Sequence, residues 1–77
     1  MTERAIKYIG GEGNYLVAQT EGRQFPGVLV QGDTLSILLA QLEEENPDGW
    51  GTETVREWLE YYERIMSEAG LKLPYSR

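Results

Sequence analysis

The chain has 77 residues, the size of one small domain, and it contains no cysteine that could form a disulfide or a thiolate metal site. Its formal net charge is −6, and the excess lies in residues 33–77, which hold ten acidic and four basic side chains. Such a surface repels phosphate backbones and attracts basic proteins, so direct nucleic-acid binding is disfavoured. We expect one domain over residues 1–77. A homodimer or a partner could help so short a chain to bury a core.

The sequence offers no segment for membrane insertion or export. The longest uninterrupted apolar run, Ile37–Ala40, is far too short to span a bilayer. The first residues lack the basic and apolar regions of a signal peptide. We therefore expect a cytoplasmic protein that has no membrane partner.

Three short strands are predicted in the first half of the chain. Arg4–Ile9 alternates polar and apolar residues, and Tyr15–Thr20 forms a second strand. Val28–Val30 is a run of aliphatic residues between turn formers, which predicts a third strand buried on at least one face. Short glycine-bearing turns favour an antiparallel meander, in which Pro26 should lie at a strand end or on an edge.

The first helix is predicted over about Thr34–Glu45. Asp33 is placed to cap it, because its carboxylate can accept a backbone N–H of the first turn. One apolar stripe follows at helical spacing, formed by Leu35, Leu38, Leu39 and Leu42. The helix should end before Pro47.

The second helix has an apolar face and a charged face. The apolar face is predicted to hold Val55, Trp58, Leu59, Tyr62, Met66 and Ala69. Thr54 and Glu57 have the spacing of a capping box, and Gly70 is a C-terminal stop. Leu71–Pro74 could add a short strand. The sequence thus predicts an α+β fold: a three-stranded antiparallel meander followed by two helices, with a possible short C-terminal fourth strand.

Trp50 lies between two glycines in the predicted loop Asn46–Thr52. A large aromatic residue there is either a plug folded over the core or an exposed anchor for a partner. The core position is favoured slightly, because small domains seldom leave a tryptophan exposed.

The residue types argue against catalysis. The chain has no histidine and no cysteine, so the commonest general base and the strongest thiol nucleophile are missing. The serines have no base partner at a recognisable spacing, and most carboxylates lie on exposed helical faces. We expect no enzyme activity, no cofactor and no metal site.

The run FPGVLVQGDTL resembles the HicB antitoxins, which have a partial RNase H-like fold. Asn14–Val17 before this run, and Trp58–Glu60 and Gly70–Pro74 after it, follow the order of elements in that family. The strings GNY, FPGV, QGD and LPY also resemble a family of small uncharacterised bacterial domains. The HicB resemblance implies a non-catalytic protein that neutralises a small basic RNase by covering it. HicB proteins usually append a DNA-binding domain, so operon regulation is not inferred.

The sequence therefore predicts an acidic inhibitor of immunity or antitoxin type, which binds a bacterial toxin or effector, most simply a basic nuclease. The predicted partner-binding residues are Asp48, Trp50, Glu53, Glu57, Glu60 and Tyr61. An alternative is a phage-encoded anti-defence protein, such as an anti-CRISPR, that blocks a nucleic-acid-binding groove. A structural subunit and an enzyme that uses carboxylates remain as further classes.

Overall fold

A computed structural model describes residues 5–77. Its elements are β1 (Ile6–Gly10), β2 (Tyr15–Thr20), β3 (Gly27–Val30), α1 (Gly32–Glu45) and α2 (Trp50–Glu68). The predicted α+β fold is confirmed, since a three-stranded antiparallel sheet precedes two helices. The possible fourth strand was wrong, because Leu71–Pro74 are not in a strand. Arg4, where the first strand was predicted to begin, lies outside the described residues.

The chain divides into two compact units, of which the first ends at Gln31 and the second runs over Gly32–Arg77. In the first unit the strands follow the order β1-β2-β3. Tyr8 lies opposite Ala18, and Leu16 lies opposite Leu29. Gly11, in the turn before β2, has φ +100°, a conformation that glycine adopts without steric cost.

The sheet unit has exposed apolar side chains on both faces. The prediction that Val28–Val30 is buried on at least one face was wrong, since Val28 is 68% exposed. The physical reason is that successive strand residues point to opposite faces, and within this single-layered unit neither face has a second layer to pack on. Ala18, in the central strand, is buried. The apolar run therefore makes a strand without making a core.

The core of the second unit lies between the two helices. Leu39 of α1 and Val55 and Leu59 of α2 are buried together. They are flanked by partly buried side chains of both helices and of the C-terminal segment: Leu35, Leu42, Tyr62 and Tyr75. The predicted stripe on α1 is confirmed for three of its four leucines, while Leu38 is exposed at its edge.

The ends of α1 agree closely with the sequence prediction. The helix begins at Gly32, and the Asp33 carboxylate accepts the backbone N–H of Thr34 at 2.8 Å. It ends at Glu45, ahead of Pro47. The predicted stop is confirmed. Asp33 accepts a first-turn N–H as predicted, but it lies inside the first turn of α1 and not at the N-cap position.

The start of α2 was predicted wrongly. The helix begins at Trp50, not near Thr54, and Gly49 at its N-cap position provides no side-chain cap. The buried Thr52 explains the early start, because its hydroxyl donates to the Asn46 carbonyl at 2.6 Å and thereby fixes the first turn of α2 against the end of α1. Thr54 lies inside the helix, where its hydroxyl donates to the Trp50 carbonyl. A capping box at Thr54 is thus excluded.

The C-terminal end of α2 is a Schellman motif, as the glycine stop predicted. The N–H of Leu71 donates to the Met66 carbonyl at 2.9 Å, and the N–H of Gly70 donates to the Ser67 carbonyl at 3.1 Å. Gly70 has φ +72°, which is why a glycine suits this position. The chain then turns back along the helical unit.

Glu63 of α2 holds this returning segment. The Tyr75 hydroxyl donates to Glu63 Oε2 at 2.9 Å, and Arg77 Nε donates to the same oxygen at 2.8 Å. The ring of Tyr75 also stacks on Tyr62, with ring centroids 6.5 Å apart. The hydrogen bond from Arg77 lowers the pKa of Glu63; burial opposes this lowering in part, and the Tyr75 hydroxyl adds to it.

This ion pair predicts an acid-sensitive contribution to stability. Because folding lowers the pKa of Glu63, its stabilisation is present above the unfolded value of 4.5 and is lost as the pH falls below that value toward the folded pKa. We expect Glu63→Gln to remove about 0.5–1 kcal/mol at neutral pH and much less in acid, because the pair is partly exposed. Urea unfolding at a series of pH values measures this difference. Glu44→Gln, on exposed α1 surface, is the matched control and should keep the wild-type pH dependence; an equal loss at all pH values would contradict the prediction.

Candidate protein-binding surface

The side of α2 that points away from α1 is rich in exposed aromatic and acidic residues. We call it the outer face of α2, and it consists of Trp50, Glu53, Glu57, Trp58, Glu60, Tyr61 and Ile65. Helical geometry brings these side chains together, because residues three or four apart lie on the same side of a helix. The opposite side of α2 supplies Val55 and Leu59 to the core. The helix thus has a buried apolar side and an exposed side that combines aromatic and acidic residues.

All six residues predicted to bind a partner are exposed. Five of them, Trp50, Glu53, Glu57, Glu60 and Tyr61, lie on the outer face of α2, within an arc of about 100° at 100° per residue. Asp48 lies in the turn just before the helix and is also exposed. The structure therefore brings five of the predicted residues to one face of α2, and Asp48 directly precedes this helix in the chain.

Trp50 was predicted to be either a plug over the core or an exposed anchor. Its side chain is 92% exposed at the first position of α2, so the slightly favoured core position was wrong. The reason is the early start of the helix, because Thr52 takes the buried position in this turn and Trp50 is thereby directed outward. The other alternative, an exposed anchor for a partner, stays a prediction.

Two further residues of this surface were not among the predicted site residues. Trp58 was placed on the core face, but it is 57% exposed. Ile65 is exposed as well, one helical turn after Tyr61. The signal was available in the spacing, since Trp58 and the buried Leu59 differ by about 100° around the helix and cannot both point into a core as narrow as this one.

The carboxylates of the outer face differ in their partners. Glu53 pairs with Arg56, which also contacts Glu43 of α1 at 3.2 Å. Within residues 5–77, Glu57 and Glu60 take part in no ion pair. Their charges are therefore available to a binding partner.

One aromatic ring of this surface already makes a cation–π contact with an arginine of the same helix. The Arg64 guanidinium lies 4.9 Å from the centroid of the Tyr61 ring. Attraction between a cation and an aromatic face is strongest for tryptophan, and nearby carboxylates add to it. Trp50 and Trp58 are also exposed on α2 and offer the same chemistry to an arginine or lysine of another protein.

In residues 5–77, no cluster of three or more acidic side chains is arranged to hold a metal ion. No helix in the described part of the chain is both long and apolar enough to cross a membrane.

Comparison with known proteins identifies a family but no activity. A family model described as "Family of unknown function (DUF6959)" matches residues 1–47, and the chain therefore belongs to this family. No curated protein and no solved structure matches the chain. The match includes the sheet unit and α1, whereas the outer face of α2 lies beyond it.

Proposed function

We propose that this member of the DUF6959 family is a non-catalytic inhibitor of immunity or antitoxin type, which acts in the cytoplasm on a basic protein. The proposed partner is a bacterial toxin or effector, most simply a nuclease with an arginine- and lysine-rich surface. The outer face of α2 is the proposed contact surface. The observation that carries the proposal is that one helix exposes two tryptophans together with two carboxylates that have no ion-pair partner among the described residues.

The exposed aromatic residues support a protein partner. Tryptophan and tyrosine are enriched at binding hot spots, because each buries a large area at a small cost in side-chain entropy. Trp50, Trp58 and Tyr61 lie along α2 within an arc of about 80°, and we call them the aromatic row; each is more than half exposed. Contiguous exposed aromatic surface on a soluble chain typically marks an interaction site. Helix α2 could therefore place this face in a groove of a partner, which is a common mode of helix recognition.

The charge supports a basic partner. The helical unit carries the whole net charge of −6, and Glu57 and Glu60 project it next to the aromatic row. Complementary charge speeds association and disfavours acidic competitors, while the aromatic contacts slow dissociation. The inhibitor would act by covering the cationic surface that a nuclease uses to hold phosphates. This role requires no chemistry from the inhibitor itself, which agrees with a chain that has no histidine and no cysteine.

The proposal is tested by capture of a partner and by charge reversal. The full chain, immobilised through an affinity tag, is exposed to lysate of its native host, and retained proteins are identified by mass spectrometry. The partner is then purified for calorimetry with the wild type and with the Glu57→Lys/Glu60→Lys variant. We expect the variant to bind at least about 30-fold more weakly, or about 2 kcal/mol, because two attractive contacts become repulsive.

A matched control places the same charge change elsewhere. Glu44→Lys/Glu45→Lys alters two exposed carboxylates at the end of α1, away from the outer face of α2, and should leave binding within a few-fold of wild type. Equal affinity of both double variants would exclude the outer face. Substrate turnover by the purified chain, or its tight binding to RNA or DNA, would contradict the proposed function as a whole. A retained partner that proves to be a nucleic-acid-binding defence protein would replace the toxin by the anti-defence alternative.

A further inference from the structure

Within residues 5–77, strand β3 forms one edge of the sheet, because the strand order is β1-β2-β3. The N–H of Gln31 donates inward to the Asn14 carbonyl of the neighbouring chain segment at 2.9 Å. In an antiparallel ladder the backbone groups of successive residues point alternately to one neighbour and to the other. Leu29 therefore also points its N–H and C=O toward β2, where it lies opposite Leu16. Val28 and Val30 point theirs outward.

The two edges of this sheet differ in their protection against pairing. On β1, Lys7 places a charge on the strand, and an irregularity between Tyr8 and Gly10 shifts the register. Charges and bulges are the usual means by which edge strands avoid each other. Strand β3 has the sequence GVLV, with no charge and no irregularity in its pairing with β2. Its outward backbone groups therefore form the more available edge.

We propose that the β3 edge binds the β3 edge of a second copy of this chain. The two strands would run antiparallel around a two-fold axis at Leu29, which joins two three-stranded sheets into one continuous sheet. Val28 would exchange N–H···O=C bonds with Val30 of the second copy, and Val30 with Val28 of the second copy. This register uses every outward backbone group of β3.

Charge favours a second copy as the occupant of this edge. Residues 1–31 contain three acidic and three basic side chains, so two sheet units meet without net repulsion. The helical unit, by contrast, carries −6 in each copy and resists self-association. An uncharged strand paired with itself around a two-fold axis places no like charges opposite each other. The outer face of α2 and the β3 edge thus take different partners.

Apolar side chains would add to the backbone bonds. At the axis the two Leu29 side chains would lie next to each other on one face of the joined sheet. Leu29 also lines a cavity of about 350 Å³ in the sheet unit, together with Ile6, Ala18 and Phe25. The apolar linings of the two copies would become continuous across the axis. Because β3 has only four residues, we expect a weak dimer whose population depends on concentration.

Hydrogen exchange of the wild-type chain tests the proposal directly. We expect the amides of Val28 and Val30 to be protected at high protein concentration and to exchange quickly on dilution, while the amide of Leu29 stays protected at both. Sedimentation over the same concentration series should show a monomer–dimer equilibrium. A chain that remains monomeric throughout, or Val28 and Val30 amides whose exchange is independent of concentration, would overturn the proposal.

Two variants of Val28 and one control locate the interface. Val28→Pro removes an outward donor that β2 does not use, and it should weaken dimerisation about 30-fold, since both copies lose a hydrogen bond. Val28→Lys places two like charges near the axis and should also give a monomer. Ile9→Lys makes the same charge change at an exposed position on β1 outside the cavity lining and should leave the dimer intact. Circular dichroism checks that each variant keeps its fold. Dissociation by Ile9→Lys with retention of the dimer by both Val28 variants would place the interface on β1 and refute our assignment. None of these outcomes depends on α2, so this proposal and the proposed function can fail separately.

Discussion

Gly32→Ala should destabilise the helical unit by about 1–3 kcal/mol, although it adds only one methyl group. Gly32 is buried at the start of α1, and a Cβ atom there would overlap the ring of Tyr62 on α2. The ring cannot move freely, because it packs on the core and stacks on Tyr75. Either α1 shifts away from α2 or this stacking is lost. Urea unfolding followed by circular dichroism at neutral pH measures the change.

Two further variants show whether the Tyr62 ring causes this loss. Gly51→Ala makes the same substitution in the first turn of α2, where a Cβ meets no atom within 4 Å. It should be neutral or stabilise by up to about 1 kcal/mol, because alanine is the better helix former. In a Tyr62→Ala background the added methyl group has room, so Gly32→Ala should then cost little. Additive effects of Gly32→Ala and Tyr62→Ala would refute the steric explanation.

The elements of this fold could be predicted because their signals are local. The Schellman motif at Gly70 depends on backbone bonds within a few residues, and the stop before Pro47 depends on one steric clash. The helical stripe of Leu35, Leu39 and Leu42 repeats at a period that needs no knowledge of the rest of the chain. Such features form wherever the same residues occur.

The wrong predictions concern contacts between elements. Thr52 lies in a pattern that resembles a loop, and only its bond to the Asn46 carbonyl shows that α2 has already begun. This early start in turn directs Trp50 outward. Likewise, the sequence of Val28–Val30 cannot show that the sheet unit consists of a single layer. Burial depends on what packs against an element, and that information is not local.

In the candidate surface, some residues could be predicted from local spacing, whereas the exposure of others depends on packing between the helices. Glu57, Glu60 and Tyr61 follow from helical spacing alone, and their exposure was expected from the charged face of α2. Trp58 was missed because any apolar residue near the stripe was assigned to the core. The core of this unit is narrow, since Leu39, Val55 and Leu59 are its buried apolar side chains. A two-helix hairpin leaves flanking aromatic residues exposed, and these residues form part of the proposed binding surface.

Leu59→Ala should destabilise the helical unit by about 2–5 kcal/mol, the largest effect that we expect from a single substitution. Leu59 is 0% exposed and packs with Leu39 and Val55. Its truncation removes apolar contacts and leaves a cavity, which a hairpin with so few buried residues cannot fill from elsewhere. Because small domains have only about 5–15 kcal/mol of stability, this loss should be visible as a much lower urea midpoint.

Ile37→Ala is the matched control for this substitution. It deletes an aliphatic side chain of the same size from α1, but Ile37 is 59% exposed and its removal leaves no buried cavity. Its effect should stay within about 0.5 kcal/mol of wild type. If Leu59→Ala and Ile37→Ala reduced the free energy of unfolding equally, the helical unit would not owe its stability to the small core between α1 and α2. In that case the exposed aromatic residues of α2 would themselves stabilise the helical unit. They could then not be regarded as residues that folding leaves available for a partner.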